Sequence, residues 1–404
     1  MTRLILHIGD AKTGTTTLQK CLFDSHETLL KHGFLYPKPL NGIMHADIIP
    51  HLLGVDDSPL WIKRRSNYDP IKILEEGRKA WENVVAQTSQ NPECTVILSS
   101  EHLFDFAKSS HFLDALGKIR ILADEIVIVA YVRSPSGRYL SSKQENLKSG
   151  KINSPPNGYP IYRTALEPLL KQHNLRIELQ KFDRDSLIGN DIIIDFASRY
   201  LTPQAMESLE RPDSDLNTSF SPEAMAILET ICNDNTPKRF ALIGAVNHRL
   251  KEHINAVDRA IPGKKSPHYK PGIARIVHDQ ATDLKWLEDN FAIKFDPPEI
   301  DVETTRVGPK ALVSVRDLCV VDEARMSLLW TALADGTPTK SMNKNASDLP
   351  KKSAASKNPI PLGSSGVRDF LLPLGFRPIS IIKRLRRGFR RIGRLLKRLL
   401  LSFH

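Results

Sequence analysis

The sequence predicts an α/β fold built around a central parallel sheet. Two observations lead there. Short β-branched runs are apolar without alternation, as strands covered on both faces are. Helical patterns lie between them, and strands alternating with helices build parallel sheets.

The strand runs are "LILHI" (4–8), "TVILSS" (95–100), "EIVIVAYV" (125–132) and "RIELQKF" (176–182). "TTLQKCLFDSHETLLKHG" (16–33) opens on capping threonines and closes at Gly33, as a helix does. "PIKILEEGRKAWENVVAQTS" (70–89) and "DIIIDFASRYL" (191–201) are further helices, and residues 220 to 295 read as mostly helical. Residues 301–335 read as a helical extension. Residues 336–376 are rich in Ser, Pro, Lys, Asn and Gly and read as a disordered linker.

Several classes are set aside by composition. The four cysteines, Cys21, Cys94, Cys232 and Cys319, are far apart, with no C-x-x-C pair, and read as reduced thiols. The first apolar run ends at Gly9, too short for an export signal. No stretch nears the ~18 apolar residues of a membrane span. The net charge of +11 is concentrated at one end: ten basic residues and no acidic one lie from Arg377 onward, so the rest is near neutral.

Two motifs carry chemistry. "HIGDAKTGTTTLQ" (7–19) follows a strand and opens a helix, where backbone amides and a helix start bind anions. Gly9 and Gly14 keep the spacing of G-x-x-x-x-G-K-[ST], but Thr15 stands where lysine belongs and Lys12 lies inside the loop. Lys12 offers a mobile charge. Thr15, Thr16 and Thr17 offer hydroxyls beside free amides. An incidental Thr-capped turn is the plainer alternative. The second motif is "RSPSGRYLS" (133–141). Arg133 ends a strand, where open α/β sheets form their ligand crevice, and Ser141 sits in the next helix. Together they can grip one phosphate.

With "AKTGTT" (11–16) and Arg133…Ser141 in this order and context, the chain resembles the sulfotransferases that use 3′-phosphoadenosine 5′-phosphosulfate (PAPS), over roughly residues 1–300. The resemblance implies a P-loop-like three-layer fold and in-line sulfuryl transfer to an acceptor hydroxyl without a metal. It implies that Lys12, Thr13, Gly14, Thr15, Thr16 and Thr17 hold the 5′-phosphosulfate and that Arg133 and Ser141 hold the 3′-phosphate. Lys12 would also act in catalysis. Where the family commonly has a proline before the lysine stands Ala11, and Asp10 adds a negative charge that is expected to point to solvent.

An acceptor hydroxyl needs a base. "SSEH" (99–102) lies past a strand in the same crevice, and the family resemblance favours Glu101 over His102. Either residue alternatively caps the next helix. His45 in "MHADIIPHLL" (44–53) is a third candidate, with a cap or surface role as the alternative. Lys264 and Lys265 in "IPGKKSPHYKPG" (261–272) match a basic segment that such enzymes place over the 3′-phosphate, or are a solvated charge run.

Residues 377–404 carry Ile382, Leu385, Phe389, Ile392, Leu396, Leu399 and Phe403 at alternating spacings of three and four, with Arg and Lys between. This basic amphipathic helix reads as an anchor on an anionic membrane surface. A protein partner is the alternative, and nucleic acid is not expected. The expected protein is cytoplasmic, peripheral on the inner face of the cell membrane, with a glycan or glycolipid acceptor. The competing functions are a P-loop kinase and a non-catalytic membrane-surface adaptor that keeps the fold.

Overall fold

Residues 2–150, 155–156, 162–212, 219–233, 243–301 and 307–335 are described by a computed structural model. The linker (336–376) and the amphipathic segment (377–404) lie outside the described residues.

The chain divides into two compact units. The first comprises Met1–Thr236 and Ser266–Val320, and the second Pro237–Lys265 and Val321–His404. Residues 266–320 stay with the first unit through bonds to its earlier elements: Tyr269 Oη donates to the Ser136 carbonyl at 2.7 Å, Arg163 N–H to Asp283 Oδ2 at 2.9 Å and Val315 N–H to Glu229 Oε2 at 2.7 Å.

The first unit begins with β1 (Arg3–His7), α1 (Thr15–Asp24), α2 (His26–Lys31) and β2 (Phe34–Leu35). Next come α3 (Ile49–Leu53), α4 (Leu60–Arg65), α5 (Pro70–Gln90) and β3 (Thr95–Ser99). Then follow α6 (Phe112–Ile119), β4 (Glu125–Val132), α7 (Pro135–Lys148), α8 (Tyr162–Leu170) and β5 (Leu175–Lys181). The elements α9 (Ile192–Tyr200), α10 (Pro203–Glu207) and α11 (Pro222–Asn233) follow. In the second unit lies α12 (Ile243–Ala260). The first unit resumes with α13 (Ile273–His278), α14 (Leu284–Phe291) and α15 (Val315–Leu318), and α16 (Glu323–Asp335) belongs to the second.

The five strands are parallel in the order β2-β3-β1-β4-β5. Their faces follow from the two-residue period of a strand. Leu4, Leu6, Leu98, Ile126 and Ile128 join one core, with Trp81, Leu116 and Leu166 from α5, α6 and α8. Ile5, Ile97, Val127, Val129 and Tyr131 join the other, with Leu18, Leu22 and Phe196 from α1 and α9. Both faces are covered, so the fold is a three-layer α/β sandwich.

Two elements depart from the sequence pattern. The helix expected over 16–33 breaks at Ser25, whose buried hydroxyl accepts from Glu210 N–H at 2.7 Å. The two-residue β2 adds a strand to the expected four, pairing Phe34 with Thr95. In the second unit, α12 and α16 are tied by Arg325, which donates to the Asp258 side chain at 2.9 Å and to the Ile261 carbonyl at 3.2 Å.

Candidate active site

β1 lies between β3 and β4, so the chain leaves it at the point where strand order reverses and a crevice opens. The loop from β1 to α1 forms one wall. Ile8 and Asp10 extend the ladder, donating to Val129 and Tyr131 carbonyls at 2.9 and 3.2 Å. The backbone then turns through left-handed residues at Lys12 (φ 69°) and Gly14 (φ 74°). At Gly14 that conformation carries no penalty, whereas at Lys12 it costs about 1–2 kcal/mol. Backbone strain of this kind collects at ligand sites.

The threonines divide by environment. Thr13 is buried, and its hydroxyl donates to the Asp10 carbonyl at 2.6 Å, so its side chain shapes the loop. Thr15 is buried, Thr17 half-buried and Thr16 exposed. Helix α1 starts at Gly14 without a side-chain cap, unlike α5, α7 and α9, which Asp69, Ser134 and Asp191 cap. Its first amides thus lack a side-chain cap, the arrangement in which a helix start can take up an anion.

Helix α7 forms the facing wall. Arg133, at the end of β4, donates from Nη1 to the Lys12 carbonyl at 3.2 Å and lies 5.7 Å from the Phe182 ring centre. Its own carbonyl accepts from Tyr162 Oη at 2.7 Å. Lys12 Nζ meets Glu145 Oε1 at 3.0 Å, and Lys148 shares that carboxylate at 2.8 Å. Burial works against the Glu145 charge, yet Lys148 and Lys12 hold its carboxyl below the usual range. Ser141 is half-buried, one turn before Glu145 on the same helix. The β1–α1 loop and the segment from Arg133 along α7 thus meet in space.

The outward Asp10 expected from sequence is corrected. Asp10 is 1% exposed and gripped by Arg138, which donates from Nη2 to Oδ1 at 2.7 Å and from Nε to Oδ2. Burial pushes its carboxyl above the ordinary value, against the pull of Arg138. An aspartate in this loop is compatible with a bound anion because an arginine covers it.

The base candidates separate as well. Past β3, Glu101 and His102 sit in a single 3-10 turn over Glu101–Leu103, and the Ser100 hydroxyl accepts from His102 N–H at 3.3 Å. A side chain on Gly9 would meet the Glu101 Cβ at 2.9 Å, so that glycine lets the loop and the carboxylate approach. Glu101 Oε2 accepts from Nε2 of the fully buried Gln19 at 2.9 Å. His45 is 1% exposed with both ring nitrogens engaged: Ser99 N–H donates to Nδ1 at 3.0 Å and Nε2–H donates to the Pro37 carbonyl at 2.8 Å. Burial lowers its pKa to about 4. The geometry leaves His45 no lone pair for an acceptor proton and makes it a brace of the β3 end. His102 is exposed, and its Nε2 accepts from the Trp61 indole N–H at 3.3 Å. Lys264 pairs with Asp258 at 3.2 Å inside the second unit, to which Lys265 also belongs.

Sequence reading missed Arg138, Glu145, Gln19 and Trp61. Arg138 and Glu145 carried a signal, since they share one helix with Arg133 and Ser141 at helical spacing. Gln19 and Trp61 carried none.

No protein-family model and no curated protein matches this chain. A solved chain, the sulfotransferase domain from the Synechococcus PCC 7002 olefin synthase, matches at 13% identity with a TM-score of 0.29, covering 63% of this chain and 94% of that one. At that level of likeness, function rests on the residues of the site. Among the described residues, no three His, Cys, Asp or Glu side chains converge to hold a metal ion, and no helix is long and apolar enough to cross a membrane.

Proposed function

We propose that the chain is a sulfotransferase that moves the sulfuryl group of PAPS to an acceptor hydroxyl. The observation that carries this is the junction of the two phosphate motifs: Arg133 on the Lys12 carbonyl at 3.2 Å, beside the uncapped start of α1. Two cationic side chains and a row of backbone amides face one crevice, which suits a ligand with anionic groups at two places.

Bound PAPS would supply the sulfuryl group, whose sulfur–oxygen bond to the 5′-phosphate breaks as the acceptor oxygen bonds to sulfur. Lys12, released from Glu145, offsets charge building on the departing phosphate oxygen. The amides of Gly14, Thr15 and Thr16 surround that phosphate, and Arg133 with Ser141 takes the 3′-phosphate. Glu101 receives the acceptor proton. It is the base favoured by elimination, since His45 is closed on both nitrogens and the Nε2 lone pair of His102 is occupied by Trp61.

Sulfur-labelled PAPS, incubated with the purified full chain and a panel of glycans, glycolipids and simple alcohols, tests this. Labelled product that disappears in Glu101→Gln is expected. Retention of PAPS with no labelled product from any acceptor would favour the non-catalytic adaptor instead.

We place residues 377–404 on an anionic membrane surface from their apolar stripe and ten basic residues. Co-sedimentation with phosphatidylglycerol vesicles is expected for the full chain and not for a chain ending near 340. Equal sedimentation of the two would discard the anchor.

A further inference from the structure

Trp61 is 39% exposed, beside the turn that carries Glu101. A large aromatic at the surface is common, but this one is held by two partners. Its indole N–H donates to His102 Nε2 at 3.3 Å, with the two rings 6.2 Å apart. The Arg65 guanidinium lies 5.4 Å from its ring centre. Its neighbour Ile62 is fully buried and pins α4.

The bracing continues back to the strand. Arg65 pairs with the buried Asp47 at 3.0 Å, and Asn41 Nδ2 donates to the same carboxylate at 2.7 Å. Asp47 shares a 3-10 turn with His45, which accepts from Ser99 N–H at the end of β3. Ser99 leads through Ser100 to Glu101. The indole is therefore fixed relative to Glu101 by a closed ring of contacts, as preorganised sites are.

We propose that Trp61 and His102 form the acceptor subsite and that it seats a sugar ring; this rests on the sulfotransferase reading of the site. Three features fit three parts of a pyranose. The exposed indole matches the apolar C–H face of the ring. Because Trp61 donates into Nε2, neutral His102 carries its proton on Nδ1 and offers it to a ring oxygen or hydroxyl. Glu101, the adjacent residue, takes the proton of the hydroxyl that attacks sulfur, while that oxygen forms the new bond. A donor and an acceptor side by side call for a ligand with at least two neighbouring oxygens. A phenol would stack on Trp61 but would leave His102 unserved.

The test uses the full chain, its Trp61→Ala, Trp61→Phe and His102→Ala variants, and an array of neutral and acidic oligosaccharides, with 4-nitrophenol as competitor. Retention on immobilised adenosine 3′,5′-bisphosphate is measured in parallel. Array binding by the unmodified chain is expected, weakened about tenfold in Trp61→Ala and less in Trp61→Phe, as for a lost aromatic contact. Retention on the bisphosphate should not change among these variants. No array binding, binding indifferent to Trp61→Ala, or displacement by 4-nitrophenol would each overturn the subsite. Failure of the unmodified chain to be retained on the bisphosphate instead overturns the sulfotransferase reading, whatever the array shows.

Discussion

The loop after β1 and the turn after β3 lie at the same end of the sheet, yet opposite means hold them. In the loop, Asp10 and Lys12 each meet an opposite charge from α7, through Arg138 and Glu145. Around the turn the donors are uncharged: Gln19 donates to Glu101, Trp61 to His102, and Ser99 N–H to His45. The difference teaches how each region responds to its ligand. Charges held by charges can be exchanged for a ligand's charges, whereas bonds from uncharged donors fix a shape in advance. The loop should therefore answer to charge substitution and salt, and the turn to pH.

The largest effect is expected at the buried pair. Arg138→Leu leaves Asp10 buried without its partner, at a cost of about 3–5 kcal/mol. The double change Asp10→Leu with Arg138→Leu should recover much of that in urea unfolding. A double variant no more stable than Arg138→Leu would show that charge does not hold the loop.

Lys12→Ala comes next. Loss of one group that stabilises developing charge lowers turnover by about 10²–10³-fold. Labelled-product assays should show this while thermal unfolding stays near the unmodified midpoint. Full turnover would remove Lys12 from catalysis.

The turn should be sharpened by acid. Burial lowers the pKa of His45 from 6.5 to about 4 and that of the fully buried His7 to about 3. The unfolded chain then binds more protons than the fold between roughly pH 6.5 and 4, so stability falls as pH falls through that window. Each histidine contributes about 1.4 kcal/mol per pH unit at most. Urea midpoints measured across the window should show this slope, reduced in His45→Gln. An unchanged slope would mean that His45 is protonated without cost in the fold.

The smallest effect is at Glu145. Partly exposed ion pairs contribute about 0.2–1 kcal/mol, so Glu145→Gln should tighten adenosine 3′,5′-bisphosphate binding by at most about fivefold. The gain should shrink as salt rises. Titration calorimetry at two salt concentrations reads both; weaker binding would make Glu145 a support of Lys12 and not its competitor.

Much of the sheet was legible, because parallel strands covered on both faces leave short, β-branched apolar runs such as 125–132, which stops at the Ser134-Pro135 turn. The short β2 was not, since two residues carry no periodicity. The break at Ser25 depends on Glu210, far along the chain. The strand–loop–helix context of the two motifs was legible for a similar reason: each lies within one local unit, β1 to α1 and β4 to α7. What joins them was not, because Asp10 finds Arg138 across 128 positions and Trp61 finds His102 across 41. The outward Asp10 failed on that ground, since no local feature announces a partner from another helix.

Ser141 and Glu145 are one helical turn apart on α7, and Glu145 holds Lys12. If a ligand on Ser141 shifts that turn, the hold on Lys12 changes, and linkage requires the reverse effect to be equal in free energy. The two ends of a bisphosphate would then be recognised cooperatively, by one rigid rod. A nucleotide stripped of either phosphate would lose more affinity than the missing contacts alone account for, and discrimination between whole and truncated donors would come from non-additivity rather than from any added contact.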